Sequence, residues 1–386
     1  MATKGTAVVA EVGWVNGLAA IRSLGRHGVR VLAVDNRPWA LGFRSRYAEP
    51  HLAPNPLEDE RGFIDGLIAL ADVTDDPLPI FPTHDEHVNS IARHADELKD
   101  RYRFPFPSFE VLEKIQSKRH QLETAEAIGF PVPRTFHPAN PEEALAAGEE
   151  VGFPLLIKPS ANVKFRRDHA RQAFRCENAT ELEKAYELSA PYEPMVQEFI
   201  PGGDDELYTL GSYLTPDGTA LGLFSGRKLR QTRSHMGSAR VAEALWVDEV
   251  VDTGLALLRA LEFHGLSQVE VKRDPRDGKY KLIEVNPRLW QWHGLAAACG
   301  VDLPWIAYRH LMGDPLPAAR MNGARKRWTI TLMAEATNAM QRPPYVDGVF
   351  ARDDPKPEFV QIGRYGRRGI RRLRALAGTA GQRRRS

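Results

Sequence analysis

Cysteine is scarce in this chain: two in 386 residues, Cys176 and Cys299. They stand far apart and match no metal-ligand or redox spacing, which argues against a disulfide scaffold and a thiolate metal centre. No apolar run approaches the length needed to cross a bilayer. The opening MATKGTAVVAEVGWVNG reaches a glycine-rich turn too early for a secretory leader. A cytoplasmic protein is the expectation. No Ser/His/Asp or Cys/His set suggests itself. His84, His235 and His293 read as structural or surface residues. Internal repeats are absent from the pattern, and low complexity is confined to the basic end.

What remains is the composition of a globular protein, 42% hydrophobic and 26% charged, long enough for more than one domain. The net charge of +2 hides an asymmetry, because residues 364–386 hold nine arginines and no acidic residue. Ile370, Leu373, Leu376 and Ala377 are spaced for a basic amphipathic helix. Such a helix would suit an anionic membrane at the inner face, with nucleic acid the less favoured partner. A solvated tail is the competing reading.

Along the chain, the first hundred residues alternate strands and helices. Strands are expected at Thr6–Ala10, Val29–Val34 and Leu78–Phe81, and helices at Leu18–His27, Phe63–Ala71 and Glu86–Leu98. That is βαβ periodicity and implies a parallel sheet. Gly13, Gly17 and Asp35 invite a dinucleotide reading, but the full G-x-G-x-x-G is missing. Thr83, Asp85 and Glu86 follow a strand, where they are either a substrate edge or the capped start of a helix. Arg103–Pro107 is a stiff connector. Beyond it come helices at Ser117–Ile128, Glu142–Val151, Ala179–Leu188 and Val250–Leu261. Strands are expected at Phe153–Pro159, Met195–Ile200, Leu207–Leu214 and Ala220–Leu229.

The most informative stretch is Val269–Arg288. Asp274–Gly278 supplies turn chemistry between two antiparallel strands. Alternation sets Glu270 apart from Val269 and Val271, and puts Glu284 and Asn286 on one face. If the strands pair so that Glu270 lies across from them, three oxygen donors converge as a hard-cation site. Arg288 offers a fork for an oxyanion beside it. Lys158 ends an apolar strand, either snorkelling to solvent or facing a phosphate. Gln197–Gly202 reads as a hinge whose backbone could take an adenine edge. Asp204, Asp205 and Glu206 follow as either a ribose acceptor or a solvated loop. Arg227, Lys228 and Arg230 are a basic strand end, suited to polyphosphate or to solvent.

In that order, Lys158-Pro159, Gln197–Gly202, Lys228 and Glu270…Glu284-x-Asn286-x-Arg288 resemble the ATP-grasp superfamily of ligases. The resemblance is strongest to the predicted carboligases near peptidoglycan D-aspartate ligase, and Asn286-Pro287-Arg288 is similar to the carbamoyl-phosphate synthase and biotin carboxylase pattern. It covers about residues 1–315. It implies an α/β fold with α+β lobes: an N-terminal parallel-sheet pre-ATP-grasp domain followed by a two-lobed ATP-grasp fold. The corresponding division is a Rossmann-like unit at 1–105, a linker at 106–118, a central lid lobe at 119–196, a catalytic lobe at 197–320 and an extension with the basic tail at 321–386. The resemblance further implies that Lys118 and Lys158 bind ATP phosphates. Gln197, Glu198 and Ile200 would line the adenine, and Asp205 (or Asp204) the ribose. Glu270, Glu284 and Asn286 would hold Mg²⁺, with Mn²⁺ an alternative. Lys228 and Arg288 would face the γ-phosphate and an acyl phosphate. Thr83, Asp85, Glu86 and Trp292 are candidates for the substrate. The implied activity is ATP-dependent ligation of a small carboxylate to an amine. Bicarbonate activation and a non-catalytic nucleotide-binding module stay open, as does a homodimer. One departure stands out: the loop Ala161–Asp168, where many members carry glycines, has none. Lys164, Arg166 or Arg167 could replace backbone amides there.

Overall fold

The computed structural model describes residues 5–72, 74, 76–160, 165, 168–169, 173–232, 237–330 and 345–363. Lys164, Arg166, Arg167, His235 and the arginine-rich tail lie outside the described residues.

The first sheet is parallel, in the order β3-β2-β1-β4-β5. Its strands are β1 (Thr6–Ala10), β2 (Arg30–Asp35), β3 (Ala48–Leu52), β4 (Leu78–Pro82) and β5 (Tyr102–Arg103). Both faces are buried, as βαβ crossovers require. Ala7 and Val9 join Leu18, Ile21 and Leu24 of the helix Val15–Arg26 in one core cluster. Val8 and Ala10 join Phe63 and Leu67 of helix Glu60–Ala71 and Ile91 of helix Asp85–Arg93 in another. β3 is an edge strand containing Pro50, and β5 is only two residues long, so neither carries a clear apolar signal. The strand order reverses between β1 and β4, and the residues after those strands, Glu11 and Thr83–Asp85, flank that switch point.

Helix Asp85–Arg93 departs from the expected Glu86–Leu98. It breaks at His94, and Ala95–Leu98 follows as a separate turn. His84 occupies the N-cap without a side-chain cap bond. Neither expected cap serves, because the Thr83 hydroxyl donates to Glu11 O at 2.6 Å and Asp85 accepts from Arg288.

A second, smaller antiparallel sheet runs β6-β9-β7-β8. It contains β6 (Thr135–Phe136), β7 (Leu155–Pro159), β8 (Phe174–Cys176) and β9 (Pro194–Glu198). Leu155, Ile157 and Val196 face helices Pro141–Val151 and Ala179–Ser189. By the strand period, Lys158 and Gln197 then share the opposite face. The strand β9 crosses the expected 196/197 lobe boundary, since its whole length pairs within this sheet.

The largest sheet has the order β14-β13-β10-β11-β12-β16-β17, with β15 beside β11. These are β10 (Leu207–Leu214), β11 (Ala220–Gln231), β12 (Ala239–Ala244), β13 (Gly265–Arg273), β14 (Tyr280–Asn286), β15 (Ala319–Arg320), β16 (Arg327–Thr329) and β17 (Tyr345–Asp347). β16 and β17 extend this sheet past residue 320, where the sequence suggested a separate extension. The chain beyond β17 returns to the first sheet. Fully buried Asp354 accepts from Arg22 Nε at 2.9 Å, Ser45 Oγ at 2.7 Å and the Arg46 amide at 2.8 Å.

Two close approaches pin the strand faces. A Cβ on Gly211 would meet the Trp290 ring at 2.0 Å, and one on Gly226 would meet Glu243 O at 2.7 Å. The Trp290 ring can approach β10 this closely only because position 211 has no side chain.

Candidate active site

The β13–β14 hairpin is the floor of the site. Its turn follows Asp274, with Gly278 at φ 75°, a backbone conformation that glycine adopts without cost. Val269 and Val271 point into the core, fully buried. The other face carries Gln268, Glu270 and Lys272. Glu270 lies directly across from Glu284, and Gln268 across from Asn286. A bulge at Ile283 shifts the register between these pairs and Val271–Leu282.

This face lines a cavity of about 600 Å³ between the small and large sheets. Lys158, Gln197, Ile200 and the backbone of Glu198 reach it from the small sheet and hinge. Lys118, the first residue of helix Lys118–Ala127, reaches it from the linker. That helix is locked to β14 by Gln121, which accepts from Val285 N at 2.9 Å and donates to Val285 O at 3.1 Å. Lys228, Glu270, Glu284, Asn286, Arg288, Asp85 and Trp292 complete the set. Twelve of the fifteen candidates named from the sequence therefore share one cavity.

Three do not line it. Asp205 is exposed, and neighbouring Asp204 is occupied by Gln231, accepting from its amide and its side chain at 2.9 Å each. Thr83 is fully buried, bonded to Glu11 O and accepting from Asn16 through its own carbonyl at 2.9 Å. Glu86 is half-buried and approaches His87 at 4.0 Å. Two others reach the cavity but differently from expectation. The Glu198 carboxylate is taken by Arg276, Lys281 at 3.2 Å and the Arg134 amide at 3.1 Å. Trp292 is a core residue, stacked edge-on to Phe224 and Trp290, with one edge at the cavity wall. The ribose reading of Asp35 fails as well: its carboxylate is taken by the Val12 amide at 3.0 Å and by Arg37 at 2.8 Å. Of the three basic residues at the end of β11, Lys228 faces the cavity, Arg227 pairs with Glu243 at 2.7 Å and Arg230 is exposed.

Sequence reasoning missed Gln268 and Lys272, although their signal was present. They stand two residues either side of Glu270 and so share its face. Gln268 donates to Glu270 at 3.0 Å. Lys272 donates to Ile200 O at 2.8 Å and Gly202 O at 3.2 Å, bracing the hinge from within the cavity.

The electrostatics follow from burying like charges together. Burial pushes the Glu270 carboxyl up; Lys228, at 2.7 Å, opposes this and Glu284 adds to it. Burial acts the same way on Glu284, but Lys118, the Asn286 amide at 3.1 Å, Lys228 and Arg288 outweigh it and hold that carboxyl low. Lys158 donates to Gln197 at 2.7 Å. Burial, with nearby Lys118, pushes its ammonium down to about 7. Burial works against the Arg288 charge, but Asp85 overcomes it and raises the group. Arg288 donates to Asp85 through Nε at 2.6 Å and Nη2 at 3.1 Å, and to Asn286 Oδ1 at 3.3 Å.

Two carboxylates facing each other across a ladder, Glu270 buried and Glu284 half-buried, repel, and a hard divalent cation would relieve them. Among the described residues no group of three His, Cys, Asp or Glu side chains converges, so a third donor has to be of another type, and Asn286 beside Glu284 is the expected one. Its Nδ2 now faces Glu284, so offering oxygen there requires the amide to turn over. With the amide turned, and with Lys228 and Arg288 giving up their bonds to Glu270 and Asn286, these three residues offer the hard oxygen donors that Mg²⁺ takes.

Comparison with known proteins agrees with this geometry. A family model described as carbamoyl-phosphate synthase L chain, ATP binding domain, matches residues 241–319. D-aspartate ligase of Enterococcus faecium is 28% identical over 218 residues, covering 53% of this chain and 51% of that protein. The carbamoyl phosphate synthase large chain of Thermus thermophilus is 26% identical over 322 residues, covering 78% of this chain and 30% of that one. The chain thus spans about half or less of the curated relatives it matches. Among solved structures, biotin carboxylase from Campylobacter jejuni, in a complex with a nucleotide, superposes with a TM-score of 0.64 at 21% identity, covering 81% of this chain and 72% of that one. That likeness establishes a shared fold.

Proposed function

We propose that this chain, which has the ATP-grasp fold, is an ATP-dependent carboxylate–amine ligase working through an acyl phosphate. One observation carries the reading. The buried Glu270–Glu284 face and the cations Lys118, Lys158 and Lys228 line the same cavity, with Arg288 beside them. Sequence kinship with a ligase supports the same class.

In this reading the hinge from Gln197 to Ile200 takes the adenine through its backbone, and Lys118 and Lys158 hold the phosphates. Lys228 and Arg288 face the transferring group. Glu270, Glu284 and Asn286 would hold Mg²⁺, which when bound neutralises phosphate oxygens. A substrate carboxylate oxygen attacks the γ-phosphorus and ADP leaves. An amine then attacks the acyl carbon and phosphate leaves. Phosphoryl transfer depends chiefly on positioning and charge neutralisation, and these side chains are suited to both. The small sheet and its helices, about residues 119–196, close over the cavity to exclude water.

The test is ADP release by purified protein with ATP, Mg²⁺ and panels of carboxylates and amines, with D-aspartate in the first panel. Turnover that needs both partners is expected. Absence of any nucleotide-dependent rise in thermal stability would sink the reading, because a ligand that binds the native state must stabilise it.

A further inference from the structure

We infer that the chain docks on an anionic lipid surface through an apolar face that begins at Phe359 and Ile362 and continues into the arginine-rich end. The inference is independent of the ligase reading.

The segment after β17 is bonded firmly to the unit built on the first sheet. Asp354 is fully buried against Arg22, Ser45 and the Arg46 amide. Arg22 Nη2 also donates to Val349 O at 2.7 Å and to Asp354 O at 2.8 Å. Arg26 engages Asp353 two-pronged, at 2.8 Å each, and the Tyr47 hydroxyl donates to Asp353 at 2.8 Å. These bonds place the helix 356–363 that follows. Pro357 and Gln361 are buried on one side of it. Phe359, 69% exposed, and Ile362, 48% exposed, stand three residues apart on the other. Two large apolar side chains left in water next to each other, on a helix held in place, begin a surface that a partner covers.

The surroundings are cationic. Asp353 and Asp354 are matched by Arg26 and Arg22, and Glu358 is half-buried, whereas Arg44, Arg46, Arg352 and Lys356 are exposed. Residues 364–386 add nine arginines and no acidic residue. Counted at about 3.6 residues per turn from Phe359, the positions of Ile362, Ile370, Leu373 and Ala377 fall within about 60° of it. Those of Arg364, Arg367, Arg368, Arg371 and Arg372 fall about 80° or more away. The sequence thus carries an apolar pattern onward in phase with the exposed face, with cations flanking it. Gly363, Gly366 and Gly369 weaken helix propensity in between, which the lipid contact has to offset. An anionic bilayer answers both halves of the pattern at once, its acyl region taking the apolar side chains and its headgroups the guanidinium groups. Nucleic acid would answer the arginines through its phosphates but would leave Ile362 and Leu373 in water. Among the described residues no helix is long and apolar enough to cross a membrane, so the contact is with the lipid surface. Because Asp353 and Asp354 bind this segment to the first sheet's unit, docking holds the whole chain at that surface.

The experiment sediments the full chain with vesicles of phosphatidylcholine alone and of phosphatidylcholine mixed with phosphatidylglycerol, across a salt series. Binding should require the anionic lipid and weaken as salt rises. The double variant Phe359→Ser with Ile362→Ser keeps every arginine, yet should bind at least about tenfold more weakly, because two apolar side chains lose their burial in lipid. Its thermal melt should match the wild type, since both side chains are exposed. Fluorescence of Phe359→Trp should be quenched by brominated anionic lipid beyond the wild-type level, which reports entry of this position into the bilayer. Failure to bind anionic vesicles, or equal binding to neutral ones, overturns the inference. An absence of extra quenching in Phe359→Trp does so too. A double variant that binds vesicles like the wild type also overturns it, because the arginines alone would then be the anchor. If that variant and the wild type both prefer a DNA duplex to the vesicles at the same salt, the basic end is assigned to nucleic acid instead.

Discussion

The two ends of one hairpin treat charge in opposite ways. At the turn, Asp274 is matched by Arg276 and by Lys281 at 2.9 Å, and the same two cations also take Glu198. Arg276 first, and Lys281 after it, hold the Asp274 carboxyl well below its ordinary range. At the open end, Glu270 and Glu284 face each other with Lys228 on one of them, and burial drives Glu270 upward. The first arrangement is balanced within the protein and ties the hinge to the large sheet. The second sets two carboxylates against each other with Lys118, Lys228 and Arg288 around them, so that charges of both signs face the cavity, as a cation and its accompanying phosphates would require. Carboxylates along one hairpin thus brace the structure at one end and, in the proposed reading, serve the chemistry at the other.

The contrast can be broken by substitution, and the largest effect should come at the open end. Glu284→Ala should lower ligation by about 10²–10³-fold, the range typical of losing one electrostatic contributor, and raise the Mg²⁺ requirement; steady-state ADP release across a Mg²⁺ series checks both. Lys272→Met removes the brace on Ile200 and Gly202 and should weaken nucleotide binding by about tenfold, or roughly 1.4 kcal/mol, with little change in the Mg²⁺ requirement; titration with a fluorescent ATP analogue reads it. Asp274→Asn, at the balanced end, should cost about 1–2 kcal/mol of stability, a charged hydrogen bond discounted because Arg276 is half exposed. Turnover should be nearly unchanged, and thermal melts beside kinetics separate the two.

The smallest effect concerns protons. Lys158, depressed to about 7, is largely neutral at pH 8 in the free protein. Phosphates beside it should restore its charge, so nucleotide binding at pH 8 should take up close to one proton. Calorimetry in buffers of different ionisation enthalpy measures this, and Lys158→Met should abolish it. The sign for folding is the reverse of a stabilising pair. The unfolded chain holds this proton up to about 10.4, so the contribution of Lys158 to stability rises with pH between about 7 and that value.

Local pattern made much of this site readable. Period-two alternation put Glu270, Glu284 and Asn286 on a polar face, and Asp274–Gly278 marked the turn between their strands. The same rule applied one step further would have included Gln268 and Lys272. The pattern was weaker where strands are short or lie at an edge, as with β3, β5, β12 and β15 to β17, because a few residues carry no periodicity. It misled where a polar side chain had a distant partner. Asp35, Thr83 and Glu198 looked available, yet the Val12 amide, Glu11 and the Arg276–Lys281 pair consume them.

By itself, then, the order of residues determined which of the longer segments are strands, which face of each is polar, and that Glu270, Glu284 and Asn286 belong together, since those properties depend on neighbours two to four residues apart or across a short turn. Only the tertiary structure decided that Asp85 clasps Arg288, that Lys118 reaches the cavity through a helix pinned by Gln121, and that Asp354 ties the end of the described chain to Arg22, 332 residues earlier. Those pairings join segments whose separation leaves no periodic trace. The contact energy that selects them exists only once the sheets have packed.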